Sequence, residues 1–111
     1  MVAEVAHAWA GIASVDVTTT DTGTEDQWAL AGQLVEEGVA NAIRAGGARH
    51  VRVDIQHRED DSLLVTIDDD GRGVADSVHS GLGTWWLDQI APSTWERRNS
   101  PTGTQLIVRV R

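Results

Sequence analysis

The sequence contains no cysteine, lysine, phenylalanine or tyrosine. Without cysteine there is no disulfide, thiol nucleophile, iron–sulfur cluster or cysteine-based zinc site. Without lysine there is no phosphate-loop lysine of the GxxxxGK[ST] kind, no Schiff-base chemistry and no Ser–Lys nucleophile pair. The nine basic residues are all arginine and face 17 acidic ones, for a net charge of −8. That sign disfavours a general reader of nucleic-acid backbones. Five tryptophans carry all the aromatic packing. No apolar run approaches the roughly 20 residues needed to cross a bilayer, so membrane contact by this domain is not expected. The start, Met1 to Ala10, holds Glu4 and His7 and lacks the basic region of a signal peptide. With 111 residues, 41% hydrophobic and 23% charged, the expectation is one soluble, acidic domain over 1–111.

Residues 2–10 are apolar and alanine-rich, and 13–19 alternate in the manner of a strand. Thr24 offers a helix N-cap with Gln27 at the capping-box spacing. Beyond it Trp28, Ala31, Val35, Val39 and Ala42 recur at steps of three and four, predicting a helix of about five turns that ends at Gly46–Gly47. Val51, Val53 and Ile55, a turn at 59–62, and Leu63 to Ile67 predict an antiparallel hairpin. A polar break, Asp68-Asp69-Asp70-Gly71-Arg72-Gly73, follows. A shorter helix is expected from Thr84 to about Ile90, stopped by Pro92. Residues 93–99 and 104–111 read as strands joined by a Ser-Pro-Thr-Gly turn, with Leu106, Val108 and Val110 on one face. The fold class is α/β (α+β): a two-layer sandwich whose mixed, largely antiparallel sheet has helices on one face.

Four places could carry chemistry. On the long helix, Glu37, Asn41 and Arg44 project together, nearly opposite the apolar stripe, and Glu37 and Asn41 stand one turn apart. The acidic stretch after the second hairpin strand is not an EF-hand, because counting from Gly71 at loop position six puts Ser77 at twelve, where Glu is needed. It is not a dinucleotide fingerprint either, since Asp76 stands where the third glycine belongs. What remains is a carboxylate at a strand end, suited to accept from an exocyclic amine, and two glycines that let backbone approach a flat ring. Gly81-Leu82-Gly83 before a helix start would present free N–H groups to an anion. Gly103-Thr104 opens the final strand.

In that order, these segments resemble the ATP-binding domain of sensor histidine kinases, within the GHKL superfamily that includes gyrase and the heat-shock chaperone ATPases. Leu34-Val-Glu-Glu-Gly-Val-Ala-Asn-Ala-Ile-Arg looks like its N box and Val65-Thr-Ile-Asp-Asp-Asp-Gly-Arg-Gly-Val like its first glycine box. Gly81-Leu-Gly and Pro101-Thr-Gly-Thr-Gln-Leu look like the second glycine box and the closing strand. The likeness runs from about residue 13 to 111 and implies a Bergerat-type sheet. It implies ATP and Mg²⁺ as cofactors, with Asn41 holding the metal and Glu37 acting near the γ-phosphate as base or polariser. Asp69 would accept from the adenine amino group, supported by Thr104. Gly71, Gly73 and Val74 would line the base, and Gly81, Leu82 and Gly83 would meet the phosphates.

By the same resemblance the activity is that of a protein histidine kinase, the catalytic module of a two-component system. The γ-phosphate would pass to a histidine on dimerisation helices of the same kinase and on to a response regulator through the parent protein. The implied location is cytoplasmic, any membrane anchor belonging to the parent. None of His7, His50, His57 and His79 lies in a phosphoacceptor helix, so the chain reads as a fragment of a larger sensor. The sequence departs from the family in that no Phe exists for an F box, Thr102-Gly103 stands for the glycine pair often seen before the last strand, and two further points bear on the phosphates and the lid. Ala45 stands where related kinases often carry histidine, leaving Arg44 as the nearby cation, and only seven residues separate Gly73 from Gly81, a very short lid. An anti-sigma-type serine kinase, or a degenerate nucleotide-binding module that only docks a partner, are the alternatives.

Overall fold

Thr24 and Gln27 close on one another in the computed structural model, which describes residues 4–44, 46–71, 95–100 and 103–111. The Gln27 amide donates to Thr24 Oγ1 at 3.1 Å and the Thr24 amide to Gln27 Oε1 at 2.8 Å, a reciprocal capping box that starts the long helix. A short helix α1 (Glu4–Ala8) and a strand β1 (Ser14–Thr18) precede it; the helix itself is α2 (Glu25–Arg44). Glu25 and Asp26 in its first turn and Arg44 in its last complement the helix dipole. At its end Gly47 adopts φ +66°, and the amides of Gly46, Gly47 and Ala48 return to the carbonyls of Asn41, Ile43 and Ala42, so the glycine pair terminates the helix as its sequence predicts.

Four more strands follow among the described residues: β2 (His50–His57), β3 (Leu63–Asp69), β4 (Trp95–Ser100) and β5 (Gly103–Val110). They join β1 in one sheet of order β1-β2-β3-β5-β4. The β1–β2 pair is parallel, bridged by α2, and the other three are antiparallel. Period-two alternation puts Val51, Val53, Ile55, Leu63, Val65, Ile67, Leu106, Val108 and Val110 into the core beneath α2. The opposite face carries mostly polar side chains, with Leu64 and Ile107 among them; across it Asp16, Arg52, Asp68, Gln105 and Arg98 fall in one register row. This is the two-layer α/β arrangement expected from the sequence.

Three local features differ from the sequence reading. The alanine-rich start forms α1, with Val5 in the core and the Arg44 guanidinium 5.5 Å from the Trp9 ring centroid, which fastens the beginning of the chain to the end of α2. The strand read as ending at Ile67 continues to Asp69, because Asp68 pairs with Arg52 and Gln105, and Asp69 with Val51 and Thr104. The buried face of α2 comprises Gln27, Ala31, Leu34, Val35, Gly38 and Val39, a stripe turned by about 40° from the predicted one at 100° per residue. Gly38 causes part of that turn: a Cβ there would stand 2.5 Å from Ile67 Cδ1, so its absence lets the helix settle onto β3. Asn41 consequently lies at the border of the stripe, half-buried, while Glu37 and Arg44 are exposed.

Gln27 does more than cap. It is buried, and its Nε2 donates to the Asp61 carbonyl at 2.7 Å and the Val110 carbonyl at 3.5 Å, tying the start of α2 to the β2–β3 turn and the end of β5. Replacing Gln27 by alanine removes the Thr24 acceptor and leaves those carbonyls short of a donor. We expect the unfolding free energy from urea titration to fall by about 2 kcal/mol.

Candidate functional site

The end of β3 is built by three consecutive residues that act differently. Asp69 is half-buried, and its Oδ1 accepts the Gly71 amide at 2.8 Å. Its pKa is pushed above the ordinary carboxylate value, chiefly by burial; the Gly71 amide opposes this, the charges of Asp70 and Asp68 add to it, and the Thr104 amide opposes it. Asp70 is exposed, and both its oxygens are engaged: Oδ1 accepts the amides of Arg49 at 2.8 Å and His50 at 3.0 Å, and Oδ2 pairs with His50 Nδ1 at 2.7 Å. Those bonds, led by the His50 amide, hold its pKa down to about 2. Gly71 is buried, and a Cβ on it would stand 2.6 Å from the Gly46 carbonyl oxygen and 3.0 Å from Asp69 Oδ1. In the folded chain, then, this glycine is required by the approach of the α2–β2 connection.

Through Gly46 this strand end meets the helix. The Gly46 amide donates to the Asn41 carbonyl at 3.2 Å, while its own carbonyl lies under Gly71. Asn41, Asp69, Gly71 and Thr104, the cross-strand partner of Asp69, thus share one end of the molecule. Glu37 lies one turn before Asn41 on exposed α2 surface. Gly73, Val74, Gly81, Leu82 and Gly83 lie outside the described residues, as do Ala45, His79 and the helix expected over 84–90. Asp70 was not singled out by the sequence as a site residue; its signal was only an acidic side chain between a strand-end carboxylate and a glycine.

A concavity lies at the other end of β3. His57, Arg58, Glu59, Asp60 and Arg109 line an open cleft of about 500 Å³. Its lining mixes both charge signs, and Asp60 is already occupied by the Ser62 amide and hydroxyl and faces Arg109 at 3.9 Å. The half-buried carboxylate and the described motif residues Asn41, Gly71 and Thr104 belong to the Asp69 end.

The sequence model of the family described as histidine kinase-, DNA gyrase B- and HSP90-like ATPases matches residues 26–110. No curated protein sequence matches the chain. Among solved structures, a histidine kinase domain from the blue-light activated histidine kinase of Erythrobacter litoralis superposes with TM-score 0.80 at 22% identity, over 98% of this chain and 58% of that one. A longer chain of the same kinase gives 0.79 at 20% identity, over 98% and 38%. This chain therefore spans less than two thirds of either. The ATP binding domain of PrrB from Mycobacterium tuberculosis gives 0.66 at 26% identity, over 98% of this chain and 87% of that one.

Proposed function

The chain belongs to the histidine kinase-, DNA gyrase B- and HSP90-like ATPases, and from that premise we propose that it binds ATP with Mg²⁺ and donates the γ-phosphate to a histidine on a separate dimerisation domain. The observation that carries this reading is the Asp69 carboxylate: half-buried, oriented by the Gly71 amide, and placed at the molecular end that holds Asn41. A desolvated, pre-aimed acceptor suits the amino group of adenine, because its bond to a donor forms without competing water.

Thr104 supports that contact from β5. Gly71, Gly73 and Val74 line the base, and Gly81, Leu82 and Gly83 meet the phosphates. Asn41 holds Mg²⁺ through its side-chain oxygen. Among the described residues no three His, Asp or Glu side chains gather to hold a metal. Mg²⁺ takes few protein oxygens and fills its shell with substrate phosphates and water, so a site with one protein oxygen would suit it. When bound, the metal would supply charge neutralisation at the phosphate oxygens, and Glu37, exposed on the same helix, would act near the γ-phosphate as base or polariser. Phosphoryl transfer asks the protein for position and electrostatics more than for covalent chemistry. The module works in the cytoplasm beside the dimerisation helices of its own kinase, and the response regulator receives the phosphoryl group from the parent protein.

Titration calorimetry of the whole chain with MgATP tests the reading. Binding heat in the micromolar-to-millimolar range is expected, with the affinity for MgATP falling about tenfold or more in Asn41→Ala and that for adenosine unchanged. No heat at millimolar MgATP would remove the proposal. Acid-labile label on an added dimerisation domain incubated with γ-labelled ATP would establish transfer.

A further inference from the structure

The two neighbouring carboxylates at the end of β3 face different tasks. Asp69 keeps one oxygen on the Gly71 amide. Asp70 spends its acceptor capacity on the protein: one oxygen takes two consecutive amides, Arg49 and His50, and the other takes the His50 ring. Its own amide also donates to the His50 carbonyl at 3.2 Å. What it grips is the junction between the α2–β2 connection, which includes residues 46–49 with their two adjacent glycines, and the first residue of β2. The backbone of the connection is held to α2 by the amides of Gly46, Gly47 and Ala48 and to β1 by the Ser14 amide on the Arg49 carbonyl, which leaves its attachment to β3 to other groups. Among the described residues, the side-chain bonds to it come from Asp70.

The connection matters because it lies between the two halves of the candidate site. On one side the Gly46 amide is bonded to the Asn41 carbonyl. On the other, the Gly46 carbonyl lies so close to Gly71 that no Cβ fits between them, and Gly71 in turn orients Asp69. We infer that Asp70 is a positioning residue for nucleotide binding: by drawing the Arg49 and His50 amides onto one carboxylate oxygen, it fixes the α2–β2 connection against β3 and so sets the spacing between Asn41 and Asp69. The inference rests on the nucleotide reading above and assigns Asp70 no contact with the ligand. A nucleotide that bridges the two ends gains its full affinity only if that spacing is preset, since otherwise binding must order the connection as well.

The two roles open to an aspartate here separate by shape and charge. A positioning role needs an acceptor at the reach of the present Oδ1; a charge role needs the negative charge. Asp70→Asn keeps the acceptor and loses the charge, whereas Asp70→Glu keeps the charge and carries it one methylene too far. With MgATP as the titrant and the whole chain in the calorimeter, Asp70→Asn should bind within about threefold of the parent, and Asp70→Ala and Asp70→Glu about tenfold more weakly. His50→Ala, which spares the backbone amides, should also stay within about threefold. Amide hydrogen exchange at Arg49 and His50 should quicken in Asp70→Ala and Asp70→Glu only. Should Asp70→Ala fail to fold, the order of the Asn and Glu variants still decides. Parent-like binding by Asp70→Glu, or binding by Asp70→Asn as weak as that of Asp70→Glu, overturns the inference. A parent chain that does not bind MgATP overturns the nucleotide reading itself.

Discussion

Replacing Gly103 by alanine should destabilise the fold by about 4 kcal/mol, a large fraction of what a domain of this size has to lose. Gly103 opens β5 at φ +153°, a conformation open to glycine and strained for any side chain. The added methyl group would overlap the Asp69 carbonyl oxygen and crowd Asp70 Cα at 3.1 Å. Both obstacles are backbone, so no rotamer change relieves the clash. Only separation of β5 from the end of β3 can make room, and that breaks the pairing of Asp69 with Thr104. Urea unfolding followed by tryptophan fluorescence reads the loss directly. A midpoint equal to the parent's would show that the strand ends part easily and that Gly103 is dispensable. Because the displaced pair is also the candidate adenine contact, whatever fraction stays folded should bind nucleotide poorly. A glycine that sequence alone places in an ordinary hairpin therefore serves the sheet and lies against the candidate site.

The contrast between Gly103 and Thr24 shows what one-dimensional information carries. Thr24 and Gln27 cap α2 through contacts three residues apart, and such local contacts leave a spacing that can be read. The same holds for the alternation in β2, β3 and β5, whose inward sets match the predicted faces. The requirement at Gly103 comes from a carbonyl 34 residues upstream, and that at Gly71 from one 25 residues upstream. Nothing in the neighbouring sequence encodes either contact. Gly71 looks from sequence like an allowance for a ligand, whereas the folded chain already uses it to admit Gly46. The same limit applies to the orientation of α2: counting apolar side chains omits Gly38, whose missing Cβ turns the helix and brings Asn41 from the far side to the border of the buried stripe. Asp70 was one acid among three until the fold placed the amides of residues 49 and 50 against it. Asp69, Asn41, Glu37 and Thr104 could be named from the sequence as candidates because nucleotide chemistry asks for particular residue types at particular element ends, and such requirements leave motifs.

Asp69→Asn should weaken MgATP binding about a hundredfold while leaving the unliganded chain at least as stable as the parent at neutral pH. The first effect follows from donors and acceptors. Asparagine offers one carbonyl oxygen, which the Gly71 amide claims, and an amide nitrogen that meets the adenine amino group donor to donor. The second follows from linkage. Burial raises the Asp69 pKa above the 3.8 of an unperturbed aspartate, so the folded state binds the proton more tightly than the unfolded state does. The stabilisation from that proton is complete below 3.8 and disappears as pH rises through the raised value, so at neutral pH the ionised carboxylate is a burden on the empty fold. Asparagine, neutral and of the same shape, carries no such burden. Asp70 has the opposite sign: its pKa is held down to about 2, so its support is present above 3.8 and fails as acid takes pH toward 2. Since both chains contain Asp70, its contribution cancels when the two are compared. The stability difference should then favour Asp69→Asn increasingly from acid toward neutrality and level off above the raised pKa, as measured by urea unfolding at a series of pH values. A difference that instead grew toward acid, or a variant that lost stability and nucleotide together, would make Asp69 a structural carboxylate rather than one held in reserve for a ligand.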